Sequence, residues 1–172
     1  MWNASNLLSL SRVVLAIPMA FLLWYEYNIL AVIMGFVASI TDMLDGWLAR
    51  KLDQVTEYGK IFDPIADKIF VGVIVIVLLL QGRFPLWLVA MVLGRDLLIA
   101  LGGVFAAKKL KSVLPSDFVG KATVTILGFT IMFAMLNLQD IAQYGYYLSA
   151  FALLFSFIHY INRAIKIIQK EN

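Results

Sequence analysis

Asp42-Met43-Leu44-Asp45-Gly46-Trp47-Leu48-Ala49-Arg50, followed after residues 51–58 by Gly59-Lys60-Ile61-Phe62-Asp63-Pro64-Ile65-Ala66-Asp67, is the stretch that decides how this chain is read. Four carboxylates lie here between two very apolar segments. Asp42 and Asp45 are three residues apart and Asp63 and Asp67 four apart, so on helices each pair projects from one face, and a helical hairpin can bring the faces together. Isolated buried carboxylates protonate, and four close together repel. Ionised forms need hard divalent cations with all-oxygen ligands, and two such ions would cancel the four charges. The plainer account, a solvated acidic loop capping helices, leaves Gly46, Ala49 and Gly59 without a shared explanation.

The surroundings of this box set the class. The chain has 172 residues, 62% of them hydrophobic, and a mean hydropathy of +0.89. A soluble domain is about 45–50% apolar. With about 20 apolar residues per crossing, the length permits about six spans, short loops and no soluble domain. The expected fold is therefore an all-α integral membrane protein, a six-transmembrane-helix bundle forming one domain over residues 1–172, with a cytoplasm-facing acidic metal site. No small-residue cleavage site follows the first apolar run, so no signal peptide is expected. The absence of cysteine excludes disulfides, thiolate metal sites and cysteine nucleophiles. A net charge of +3 suits anionic lipid headgroups and is too scattered to argue for nucleic acid.

In order, the spans are expected at about residues 11–27, 29–50, 60–80, 86–107, 118–138 and 144–168. Residues 1–10 read as an interfacial segment, and Trp24, Tyr25 and Tyr27 as the far aromatic belt. Pro64, lacking an amide hydrogen, is expected in the first turn of the third span, so that this helix turns its amide end toward the box. Arg12, Arg50, Lys51, Lys60, Lys108, Lys109, Lys111, Arg163, Lys166 and Lys170 fall on one side, and the opposite loops hold only Arg83. Both termini and the box should then face the cytoplasm, in a multi-pass protein of the cell inner membrane. Arg95-Asp96 stands deep in apolar sequence, where charge is expensive and usually functional; as sequence neighbours the two should point different ways. The lone His159 is read as hydrogen-bonded to a neighbour rather than catalytic.

The spacing Asp-x2-Asp-Gly-x2-Ala-Arg-x8-Gly-x3-Asp-x3-Asp, matched without a gap, resembles the CDP-alcohol phosphotransferase family. Asn6-Leu-Leu-Ser-Leu-Ser-Arg12 is similar to that family's amino-terminal motif, with Ser5 in place of a proline. Asp63-Pro64-Ile65-Ala66-Asp67-Lys68 and Gly120-Lys121 resemble its phosphatidylglycerophosphate synthase branch. The chain departs from that branch at Asp96, where an Arg-Glu pair is commoner, and at Thr123, where a second lysine is often found.

The resemblance implies an enzyme in which an alcohol hydroxyl attacks CDP-diacylglycerol and releases CMP. It implies Asp42, Asp45, Asp63 and Asp67 as ligands of divalent cations, Mg2+ or Mn2+, with two ions expected. Gly46, Ala49 and Gly59, with Asp42 and Arg50, would lie near the nucleotide. Asp67 would be the general base, and a homodimer is expected. Local physics agrees with the base, since a metal neighbour keeps a carboxylate ionised while it still accepts a proton transiently. For the acceptor, Arg95, Lys121 and Lys108 are expected to form a phosphate pocket, which makes sn-glycerol 3-phosphate the expected acceptor and phosphatidylglycerophosphate the product. The same chemistry on inositol phosphate, phosphatidylglycerol or serine is the alternative. From a different class comes an ion-coupled transporter, whose intramembrane carboxylates would mark an ion path.

Overall fold

The structure, a computed structural model, describes residues 4–51, 57–110 and 118–170. These residues are helices and turns: α1 (Ala4–Trp24), α2 (Asn28–Lys51), α3 (Glu57–Leu80), α4 (Leu86–Leu110), α5 (Phe118–Met135) and α6 (Gln139–Lys170). The chain divides into two compact units, Met1–Arg83 with Met135–Asn137, and Phe84–Ala134 with Leu138–Asn172.

In the first unit α1 packs against both α2 and α3. Its buried stripe, Arg12, Ala16, Met19 and Leu23, repeats at alternating steps of four and three, the spacing of one helix face. α3 buries Ala66, Phe70, Ile74, Val77 and Leu78, again one face. α2 supplies small residues at the same period: Ala31 and Ala38 are buried, and a methyl added at Gly35 would sit 3.6 Å from Met19. Small residues allow backbones to approach closely where lipid gives no hydrophobic drive between helices.

The helix ends are closed by one device used three times. Beyond α1, Tyr27 N–H bonds Leu22 C=O at 2.8 Å and Glu26 N–H bonds Leu23 C=O at 3.1 Å, with Glu26 at φ 62°. Beyond α3, Arg83 N–H bonds Leu78 C=O at 2.8 Å and Gly82 N–H bonds Leu79 C=O at 3.0 Å, with Gly82 at φ 69°. Beyond α5, Leu138 N–H bonds Phe133 C=O at 3.0 Å, with Asn137 at φ 59°. These are left-handed Schellman closures, for which glycine is the usual residue and asparagine the next. Glutamate at such a φ is strained by about 1–2 kcal/mol. What Glu26 contributes there is its carboxylate, which accepts Arg83 Nη2 at 2.7 Å, while Arg83 Nη1 donates to Asn28 Oδ1 at 3.0 Å. Gln81 Nε2 adds a bond to Leu23 C=O at 2.8 Å. The α1–α2 turn is thereby clamped to the end of α3.

In the second unit α6 buries Ala142, Tyr146, Ser149, Leu153 and Ser156, a seam of alternating fours and threes, and α4 packs against it. α5 meets α6 through polar contacts. Thr130 Oγ1 lies 2.9 Å from Ser149 Oγ, 2.9 Å from Ile126 C=O and 3.2 Å from Gly145 C=O. Thr123 Oγ1 donates to Val119 C=O at 2.9 Å and reaches Ala152 C=O at 3.3 Å. A methyl on Gly145 would meet Thr130 Oγ1 at 2.9 Å, Cγ2 at 3.1 Å and Cβ at 3.3 Å, so no rotation of Thr130 makes room. Gly145→Ala should cost about 1–3 kcal/mol, the usual penalty of overpacking. Thermal unfolding in detergent will read it, and Thr130→Ala in the same chain should give a loss smaller than the two single losses combined.

α4 and α5 begin where expected and α2 within one residue, and several other boundaries move. α1 begins at Ala4, and α6 at Gln139 rather than at 144. Lys108 lies in the last turn of α4 rather than in a loop, as suits a cation at a helix carboxyl end. Pro64 is not in the first turn of α3, which starts at Glu57, so the free amide end of that helix precedes Asp63 and Asp67 instead of coinciding with them. The common reason is that hydropathy marks the apolar part of a helix, whereas polar turns such as Glu57-Tyr58-Gly59-Lys60 extend it.

Among the described residues, Phe118–Met135 and Gln139–Arg163 are long and apolar enough to cross a membrane, and Leu10–Trp24 and Asn28–Thr41 are shorter apolar runs. Large apolar side chains are exposed along these helices, among them Val14, Ile17, Phe21, Phe151, Leu154 and Phe155. An apolar exterior of this kind suits lipid, as expected of a membrane protein.

Candidate active site

The two halves of the acidic box sit on consecutive helices. Asp42, Asp45, Gly46, Ala49 and Arg50 occupy the last turns of α2, and Gly59, Asp63 and Asp67 the first three turns of α3. Each aspartate pair is one helical turn apart and shares a face. Five residues separate the helices in sequence, and at about 3.3–3.6 Å per residue the carboxyl end of α2 and the start of α3 are at most about 20 Å apart. The side chains at Asp42, Asp45, Asp63, Arg50 and Lys108, and the immediate surroundings of Gly46, Ala49 and Gly59, lie outside the described residues. Among the described residues no three carboxylates or histidines gather.

Asp67 is described, and its position is informative. It lies on α3 one residue beyond the buried Ala66, with its side chain 52% exposed, and its Oδ1 accepts a hydrogen bond from Arg12 Nη1. The Arg12 side chain is 9% exposed. A buried guanidinium is costly unless paired, so Asp67 serves α1 as well as the box. Sequence reading used Arg12 for orientation and as the end of an amino-terminal motif, but not as a partner of Asp67. The two are 55 residues apart, and the only signal was a cation within an apolar run. All-oxygen carboxylate donors at one-turn spacing fit a hard divalent cation, and Asp67 keeps a second oxygen beside the one facing Arg12.

The expected acceptor residues lie in the second unit. Arg95 and Asp96 do not point apart: Arg95 Nη1 donates to Asp96 Oδ1 at 3.0 Å, because the long arginine side chain curls back to its neighbour. Arg95 Nη2 donates to Ser156 Oγ on α6 at 3.0 Å, and its buried Nε–H has no hydrogen-bond partner. Of five guanidinium donors, two are engaged, which leaves capacity for an anion. Lys121 is exposed in the first turn of α5. Thr123, where the resembling branch often has lysine, is buried and bonded across to α6, which accounts for a short hydroxyl there.

Comparison with known proteins brings independent findings. Residues 2–158 match the family model for CDP-alcohol phosphatidyltransferase. A protein of Aquifex aeolicus named CDP-diacylglycerol--glycerol-3-phosphate 3-phosphatidyltransferase is 30% identical over 178 aligned residues, covering 98% of this chain and 99% of that one. Proteins of the same name from Rickettsia typhi and Pseudomonas fluorescens are each 41% identical, the first over 58% of both chains and the second over 57% of this chain and 53% of its own.

Proposed function

The chain belongs to the CDP-alcohol phosphatidyltransferase family, and from that premise we propose that it transfers the phosphatidyl group of CDP-diacylglycerol to sn-glycerol 3-phosphate, giving phosphatidylglycerophosphate and CMP. The observation that carries the reading is the uninterrupted box of eight identities from Asp42 to Asp67, set on the adjoining ends of α2 and α3. The name of the Aquifex aeolicus relative, aligned over nearly all of both chains, supports the same acceptor.

In this mechanism Asp42, Asp45, Asp63 and Asp67 hold divalent cations, Mg2+ or Mn2+. Bound there, such ions would neutralise charge on the diphosphate and on the departing phosphate. Gly46, Ala49 and Gly59 give the nucleotide a surface free of bulky side chains, and Arg50 meets a phosphate or orients a carboxylate. Asp67 takes the proton of the acceptor hydroxyl as its oxygen attacks the phosphorus that carries the diacylglycerol. The bond from that phosphorus to the bridging oxygen breaks, and CMP leaves with the electron pair. Arg12 fixes one oxygen of Asp67, so the carboxylate presents the other in a defined direction. Arg95, Lys121 and Lys108 receive the phosphate of the acceptor. The one-sided distribution of lysine and arginine in the sequence supports a cytoplasmic face of the inner membrane for this chemistry.

Purified protein given CDP-diacylglycerol, Mg2+ or Mn2+ and a panel of alcohols tests the proposal. CMP release is expected with glycerol 3-phosphate, and its loss with EDTA. Turnover with inositol phosphate, phosphatidylglycerol or serine but not with glycerol 3-phosphate would refute the acceptor. No CMP release with any alcohol, together with ion flux in liposomes, would refute the enzyme.

A further inference from the structure

The second unit carries a cleft that phosphatidyl transfer leaves unused. Its volume is about 290 Å3, and it is lined by Trp87 at the start of α4 and by Gln139, Asp140, Gln143, Tyr146 and Tyr147 in the first turns of α6. The rings of Trp87 and Tyr147 stack with centroids 6.2 Å apart and planes 24° apart. Tyr146 is held by an edge contact to Phe84 at 5.3 Å, and its hydroxyl reaches Gln139 Oε1 at 3.4 Å. Aromatic walls are thus set in place before any ligand arrives. Among the lining residues Asp140 alone is charged, and no lysine or arginine opposes it.

Ring faces are electron-rich and attract ammonium groups, a carboxylate supplies the counter-charge, and glutamine amides can donate to phosphate oxygens. An anionic headgroup would meet Asp140 with nothing to offset the repulsion. Gln139–Arg163 is long and apolar enough to cross a bilayer, so the first turn of α6 belongs at its interface, the depth of headgroups and aromatic belts. We propose that this cleft binds the ammonium of an aminophospholipid headgroup, with Asp140 as counter-ion and Trp87 and Tyr147 as its wall.

Native mass spectrometry of the full chain with added phosphatidylethanolamine or phosphatidylglycerol will test it. Wild-type protein should retain the ethanolamine lipid about tenfold better, and Asp140→Asn or Trp87→Leu should bring both lipids to the same level. Asp140 is exposed, so its replacement disturbs no packing; unchanged CMP release in both variants will report intact folding. Equal retention of the two lipids by wild type would overturn the site, as would undiminished selectivity in Asp140→Asn. Soluble phosphoethanolamine should displace the lipid only at far higher concentration. Displacement at equal concentration would make a free metabolite the ligand and overturn the assignment to lipid.

Discussion

Asp67→Asn is expected to lower turnover by about 10²–10⁴-fold, the usual contribution of a positioned base, while CDP-diacylglycerol still binds. The asparagine is the informative replacement because its carbonyl oxygen can still accept the hydrogen bond from Arg12. Asp67→Leu would also take the paired carboxylate away from the buried Arg12 guanidinium and mix instability with lost chemistry. Asp42→Asn should act at an earlier step, weakening metal-dependent nucleotide binding. Titration of the nucleotide into each variant beside single-turnover rates separates the two effects. Equal loss of binding in both variants would leave Asp67 as a ligand with no separate duty as base.

The second large effect is expected at Arg95. Hydrogen bonds to charged groups contribute about 1.5–3 kcal/mol, so Arg95→Ala should raise the KM for glycerol 3-phosphate by about 10–150-fold. The KM for the lipid donor should hardly change. Ser156→Ala, which removes one support of the guanidinium, should show the same pattern more weakly, and Ser156→Thr should restore it. A parallel rise in the KM for CDP-diacylglycerol would place Arg95 elsewhere. Stability lost without any change in KM would reduce it to packing with Asp96 and Ser156.

The acidic box could be read directly because its evidence is local: residue types at helical spacing within one short stretch, and α2 and α3 carry both halves as that spacing requires. Apolar runs likewise marked where helices lie. What escaped the sequence was long-range or polar. Nothing near Arg12 names Asp67, and nothing near Arg83 names Glu26, since each pairing is made only when separate helices pack. Arg95 and Asp96 were expected to diverge from helical geometry alone; side-chain length overrode it. The extra turns of α1, α3 and α6 were missed because polar residues at a helix end resemble loop when hydropathy is the guide. The transporter reading gives way to the family match, which covers residues 2–158.

The clamp made by Gln81 and Arg83 also bears on how the protein is made. Glu26, Asn28 and the Leu23 carbonyl are synthesised long before the side chains that bind them, with 57 residues separating Glu26 from Arg83. A ribosome that has released only the first two helices therefore leaves the left-handed turn at Glu26 without its cation. That turn becomes secure only once the end of the third helix emerges. Biogenesis of the amino-terminal half is thus gated by its last few residues, and a nascent chain stalled before Gln81 should remain open to protease at Tyr25–Tyr27, whereas one stalled well beyond Arg83 should resist.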